Sequence, residues 1–309
     1  METFNYNDPE NETDIRTVLD KLRNQDFPED MSKDMVETIV VTDKTNHENI
    51  VRLLEQYPEV KCIKSDNPHY LAMKDLGAQH ATRDIVAFLD CDCIPSDNWI
   101  KAIVETICEG AGVSVGKTEI KSDTLYQRVF NFSFLMYIQT EKKTPVKSFF
   151  PNNVAFKREL LENIKLYDIY TRSGALPLII NKVIKNGYKP VYSPKQSAIH
   201  DYAIAKGLNY INVALRSGYE AIYFARMDED NLLFDTKLLR FGFLAPLLIS
   251  SIRALTDFKR VFSKSSKTMV RSYEIPLFIA SAVHIRSIET IGGIMAMINP
   301  GYLRKKLGF

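Results

Sequence analysis

The sequence predicts an α/β fold: a mostly parallel sheet with helices on both faces, followed by a C-terminal helical extension. Three observations predict it. Short β-branched runs alternate with amphipathic helical patterns through the first 200 residues. Val36 to Thr42 is a short β-branched run and Asp84 to Leu89 a largely apolar one, as expected for buried parallel strands. After about residue 205 the alternation stops and long helical patterns take over.

The elements follow in order. Met1 to Asn7 leaves room for only a stub of a first strand, so either that strand is very short or the chain begins late. Ile15, Val18, Leu19 and Leu22 have helical spacing and predict a helix from Asp14 to Asn24. Val36 to Thr42 is the first clear strand. Glu48 to Tyr57 is helical and is closed by Pro58. Val60 to Lys64 is a brief strand, Leu71 to Ala81 a helix, and Asp84 to Leu89 a second buried strand. Tyr126, Phe130 and Phe134 recur every fourth residue, a stripe that reads as core packing or as a substrate platform. No internal repeat and no low-complexity segment is visible.

The length of 309 residues fits two domains, or one large domain with an extension. We expect residues 1–230 to form the α/β domain and 231–309 the extension. Hydrophobic residues at 45% and charged residues at 25% exclude a disordered or collagen-like chain. A net charge of +2 argues against a surface built wholly for nucleic acid. The charge is uneven. From Arg240 onward eleven basic residues face three acids, a net +8, which leaves −6 for the rest. The four cysteines, Cys62, Cys91, Cys93 and Cys108, include no CxxC pair, and the first twenty residues are polar and acidic rather than signal-like. These features predict a reduced, cytoplasmic chain with cysteines as small apolar groups. Two glycosylation triplets, at Asn11 and Asn131, then carry no meaning.

In an α/β sheet, ligands sit beyond the carboxyl ends of the strands. Asp90-Cys91-Asp92 lies there, just past Phe88-Leu89. Two acids so close repel unless a cation bridges them. Mg²⁺ or Mn²⁺ suits, as a hard ion bound by oxygen and shared with phosphates. The alternative is a turn in which each Asp caps backbone amides. Asp43 ends the run Ile39 to Thr42, where a carboxylate can accept from a ribose or base, or cap the next helix.

Four blocks, VETIVVTDKT, HYLAMKDLGAQHATRDIVAFLDCDCIPSDNWI, FFPNNVAFKREL and NGYKPVYSPKQSAIH, resemble family-2 glycosyltransferases of the GT-A fold. The likeness runs from about residue 1 to about residue 202. It implies a nucleotide-sugar donor, a divalent metal, and sugar transfer to an acceptor hydroxyl, usually with inversion. It places Asp43 at the nucleobase and Lys74 near the donor. It sets Asp90 near ribose and metal and Asp92 on the metal that bridges the diphosphate. Asn152, Asn153 and Phe156 fall on the acceptor side. His200 falls on a His that approaches the diphosphate or metal; it also reads as a satisfied structural histidine. The family's acidic catalytic-base segment falls on Gly174-Ala175-Leu176, which contains no acid. Asp168 is the substitute base the residues offer, and Arg172 of Tyr170-Thr171-Arg172 can neutralise a diphosphate. That gap leaves a second reading, an impaired homologue that binds nucleotide-sugar or glycan. A nucleotidyltransferase lacks support, because no Gly-rich phosphate loop is visible near the N-terminus.

The tail has two apolar stretches, Phe241 to Ile252 and Ile275 to Ile298. The first is too short to span a bilayer and the second is interrupted by His284, Arg286 and Glu289. We expect both to lie at the inner face of a membrane with anionic lipid, which favours a glycan or lipid-linked acceptor. Packing on the α/β domain, or a dimer interface, is the alternative.

Overall fold

The computed structural model describes residues 1–4, 6, 13–120, 124–135, 138–167, 176–200, 209–226, 236–263 and 270–301. Helix α1 (Ile15–Arg23) starts where the Asp14 carboxylate accepts the Arg16 amide. Next come β1 (Thr38–Thr42), α2 (His47–Leu54), β2 (Val60–Lys64), α3 (Tyr70–Gln79) and β3 (Ile85–Leu89). This is the expected rhythm, with ends moved by up to three residues. The chain continues through β4 (Cys93–Pro95), α4 (Trp99–Cys108), β5 (Val113–Ile120), α5 (Leu125–Phe134), β6 (Thr144–Pro145), β7 (Asn153–Lys157), α6 (Arg158–Asn163), α7 (Leu176–Lys185) and β8 (Pro190–His200). Helices α8 (Asn209–Ala225), α9 (Ala245–Val261) and α10 (Ile275–Ile298) follow, with a 3₁₀ segment Thr236–Leu244 before α9.

The chain divides into two compact units. The first comprises Met1–Lys121, Lys142–Tyr170 and Lys182–Ala203; the second comprises Ser122–Glu141, Thr171–Asn181 and Ile204–Phe309.

In the first unit β1 and β2 are parallel, Thr38 opposite Val60 and Thr42 opposite Lys64. Residues 1–3 form the stub of strand. Met1 N donates to Ile39 O, and Val41 N donates back to Met1 O, at 2.8 and 2.9 Å. Glu2 bridges Val41 on one side and Asp90 on the other, parallel to both. The larger sheet has the order β3-β7-β5-β8-β4, with β6 beside β8. Strands β1, β2, β3, β5 and β8 share one direction, while β4, β6 and β7 oppose it. The sheet is thus mixed, because β7 enters reversed between β3 and β5. Its sequence NVAFK has an apolar centre like a parallel strand's, and nothing in that composition reveals its direction. The core beneath gathers Val18, Leu89, Trp99, Ile100 and Ile103. Each such side chain contributes roughly 1.5–3 kcal/mol by burial.

The second unit is helical. Helices α8 and α10 cross so closely that a Cβ at Gly218 would overlap the Glu289 carbonyl, and one at Gly292 the Leu215 carbonyl. Phe132 of α5 meets Phe278 of α10 edge to face at 5.4 Å. Phe130 is buried and lies 4.7 Å from the Phe134 ring, so these two members of the aromatic stripe serve packing. Arg286 and Glu289, which interrupt the apolar run of α10, are buried and paired. Arg286 contacts Asp257 at 2.7 Å and Glu289 at 2.5 Å, and donates to Ser133 O. Arg260 adds a contact to Asp257 at 2.9 Å, and Arg253 one to Glu289 at 3.1 Å. Pro246 does not disturb α9. It sits in its first turn, where no amide donor is needed.

Candidate active site

The site lies in the first unit, where β3 ends. The turn Asp90–Asp92 leads into β4, and β4 pairs with β8 so that Cys93 lies opposite His200. On the other side β3 pairs with β7, Leu89 opposite Asn153, which places Asn152 beside Asp90. Two strand registers therefore bring Asp90, Asp92, Asn152 and His200 together from three distant stretches of sequence.

Asp90 is buried and already paired. Lys74 Nζ lies 2.6 Å from its Oδ1, and the Tyr70 hydroxyl donates to the same carboxylate at 3.0 Å. Tyr70 and Lys74 are four residues apart on α3 and share one face. The Lys74 ammonium also lies 3.7 Å from Glu2 and 4.7 Å from the Tyr70 ring. Burial pushes the Asp90 carboxyl up, but the Lys74 ammonium, His200 and the hydrogen bonds from Lys74 and Glu2 together hold the group below the ordinary carboxylate range. Glu2 has less compensation. Burial, then repulsion from Asp90, raises it to about 8, so it keeps its proton at neutral pH. Lys74 is pulled down by burial, yet its two acid neighbours leave it above its usual value.

Asp92 faces His200, with Oδ1 3.2 Å from Nε2. The other ring nitrogen, Nδ1, lies 2.8 Å from the Asn152 amide, whose oxygen accepts from Thr118 at 3.2 Å. The Thr118 hydroxyl can donate or accept. An Asn152 amide turned by half a rotation would therefore accept from Nδ1–H and leave the Nε2 lone pair towards Asp92. Ligand atoms of Asp90, Asp92, Cys93 and His200 all lie within 4.8 Å of one another. Two hard carboxylates with an imidazole fit a divalent cation such as Mn²⁺ or Mg²⁺. Cys93 belongs to this cluster by position, where the alternation of side chains predicts that it points away. It also packs in the core with Val18 and Trp99. Burial, then the Asp92 charge, pushes its thiol well above the usual range. Cys91 packs with Ile15 and Val40 on the other side.

Other expected residues divide sharply. Asp43 ends β1, is half-buried, and accepts the Asn46 amide at 2.9 Å; one carboxylate oxygen thus holds the turn into α2. Asn153, expected on the acceptor side, has its amide engaged within the fold. Its oxygen accepts from Trp99 Nε1 and Gln196 Nε2, and its nitrogen donates to the carbonyls of Lys117 and Gln196. These four bonds use the whole capacity of the amide. They plug a bulge where the β5–β8 register shifts between Gly116 and Lys117. Phe156 is also core, edge to face with Phe88 and Phe149. Asp168, Tyr170 and Arg172 lie outside the described residues, as do Gly174 and Ala175. Leu176, where the family carries an acid, is buried at the start of α7.

Glu2 and Tyr70 are members of the site that sequence reasoning missed. The spacing of Tyr70 from Lys74 was the available signal. Glu2 had none, because a single residue of strand has no period.

The model for glycosyl transferase family 2 matches residues 3–165. No curated protein matches by sequence. Among solved structures, a mannosyltransferase from Pyrobaculum calidifontis, PcManGT, in complex with GDP-Man and Mn²⁺ is similar at TM-score 0.53 and 16% identity, covering 95% of this chain and 85% of that one. Residues 1–349 of S. aureus TarS, in complex with UDP, are similar at TM-score 0.50 and 14% identity, covering 100% and 90%. A longer TarS structure gives 0.49 and 14%; 92% of this chain is covered, but it spans only about half, 53%, of that chain. The fold is GT-A, and the chain belongs to glycosyl transferase family 2.

Proposed function

We propose that the chain transfers a sugar from a nucleotide-sugar donor to a hydroxyl of a glycan or lipid-linked acceptor, with inversion and with the help of Mg²⁺ or Mn²⁺. The observation that carries this is the cluster of Asp90, Asp92 and His200 at the end of β3. Asp92 and His200 would hold the cation, with Asp90 behind them. A bound cation neutralises charge on a leaving diphosphate. Lys74 and Tyr70 fix the Asp90 carboxylate and keep it ionised. Asn152 sets the orientation of the His200 ring. Asp43 has a second oxygen left for a ribose or base. Asp168 serves as the base for the acceptor hydroxyl and Arg172 meets the diphosphate or an acidic acceptor. The UDP and the GDP-Man with Mn²⁺ in the similar structures support a nucleotide-sugar donor. The +8 tail supports work at the inner face of a membrane.

A panel of nucleotide-sugars screened by thermal shift with and without Mn²⁺ tests the reading, since a donor that binds only the folded state raises its stability. No shift with any donor would refute it. The buried Leu176 favours the second reading, an impaired homologue that binds but does not transfer. Release of nucleoside diphosphate from the bound donor separates the two: a transferase leaks some without acceptor, and a binding protein releases none.

A further inference from the structure

Helix α9 is inverted relative to a helix that faces water. Its inner side holds the buried Ser250 and Asp257 and the partly covered Arg253 and Arg260. Its outer side is rich in apolar residues, with Ser251, Thr256 and Lys259 also exposed. Leu247, Ile252 and Leu255 are exposed there, continued by Phe243 and Leu244 before the helix and Phe262 after it. Phe243 and Phe262 are 62% and 66% exposed, values that water does not favour for phenylalanine. Exposed Lys237, Arg240 and Lys259 accompany this face. Between residues 236 and 263 the sole acid is Asp257, which is buried.

We propose that this face, from Phe243 to Phe262, lies in the interface of a bilayer that contains acidic phospholipid, with α9 in the plane of the membrane. This gives the membrane part of the reading above a specific surface and rests on that part alone, independent of the transfer chemistry. The segment Thr236–Val261 is apolar and long enough to be considered for a span. However, α9 itself has 17 residues, about 25 Å at 1.5 Å per residue, short of the roughly 30 Å hydrocarbon core. The 3₁₀ segment before it breaks at Gly242, whose φ is +56°. The acid of α9 is satisfied inward, Asp257 by Arg286 and Arg260, so Lys259 is the one exposed charge that the helix would bring to an apolar medium. Lys259 shares that side, where its long stem can reach back to headgroups. A second copy of the chain on the same face would bring Arg240 and Lys259 against their equivalents. No exposed acid in this segment answers them.

Flotation of the full chain with phosphatidylcholine vesicles, with and without phosphatidylglycerol, tests this. The comparison variant is Leu247→Glu/Leu255→Glu, two exposed positions whose change leaves the core intact. The wild-type chain is expected to float with acidic vesicles, and the variant to do so at least about tenfold less, with an unchanged unfolding temperature and donor-induced thermal shift. Equal flotation of wild type and variant overturns the assignment of the face while the membrane reading stands. Equal flotation on both lipids overturns the requirement for acidic phospholipid. A wild-type chain that ignores both vesicles overturns face and membrane together, leaving the donor-binding result untouched. A detergent-free dimer that the two substitutions convert to monomer makes a second copy the occupant and overturns the proposal.

Discussion

Lys74→Met tests the buried ions of the site most directly. Methionine keeps the length of the stem against the Tyr70 and Phe88 rings and removes only the charge. Asp90, 2% exposed, then keeps the Tyr70 hydroxyl as a donor but loses the ammonium that lies on its carboxylate. If it stays ionised, breaking a buried pair costs about 3–5 kcal/mol. If it takes a proton, holding a carboxyl of ordinary pKa about 3.9 neutral at pH 7 costs about 4 kcal/mol. Both routes give about 4 kcal/mol. The second makes the loss depend on pH. In the wild type the folded Asp90 lies below its unfolded value, so its contribution is present above the unfolded pKa and is lost only as pH falls through the folded one. In the variant, burial has lost its main opponent and raises the carboxyl, and stability falls as pH rises past the unfolded value. From pH 7 to pH 5 the gap between the two proteins should narrow by about 2–3 kcal/mol. Urea unfolding followed by the emission of Trp99, the single tryptophan and buried in the same unit, measures it. A loss under about 1 kcal/mol at pH 7, or one of equal size at both pH values, would refute the reasoning.

Three further outcomes are expected. Asp92→Asn should abolish the Mn²⁺-dependent part of donor binding with an unchanged fold; a thermal shift equal to that of the wild type would remove Asp92 from the metal site. Asn153→Ala should destabilise by about 3 kcal/mol, because Trp99 Nε1 and the Gln196 amide lose their buried partner; a urea midpoint within error of the wild type would show that the bulge does not need its plug. Glu2, raised to about 8, keeps its proton in the folded chain while the unfolded chain releases it near 4.5, so stability should fall as pH rises between those values, by up to ~1.4 kcal/mol per unit. Glu2→Gln should flatten that slope in metal-free protein, and a slope unchanged in urea midpoints would place the titration elsewhere.

The parts of this fold that repeat were legible in the sequence. β1, β2 and β3 are short apolar runs between amphipathic helices, so period alone locates them, and the Asp90–Asp92 pair follows from where β3 stops. What pairs across the sequence was not. The register that sets Cys93 opposite His200 is a property of two strands more than a hundred residues apart. Arg286 and Glu289 read as costly interruptions because, beyond their own pairing on α10, their partners Asp257 and Arg253 lie on another helix. Asn153 looked functional by its neighbourhood, yet the β8 bulge it fills leaves no periodic trace. The helical unit escaped for the same reason: α5, 75 residues before α8 ends the alternation, joins it only through contacts such as Phe132 with Phe278.

Asn152 and Asn153 are neighbours in the chain with opposite kinds of work. Asn153 is locked by four bonds from α4, β5 and β8, and Asn152, next to it, holds the His200 ring. The backbone that presents Asn152 has therefore lost its conformational freedom on folding, before any ligand arrives. A cation meeting Asp92 and His200 does not have to order that strand, and its affinity is not diminished by the entropy of doing so. Association should then be fast and carry little heat-capacity change, as for a rigid crown ether rather than a flexible chelator.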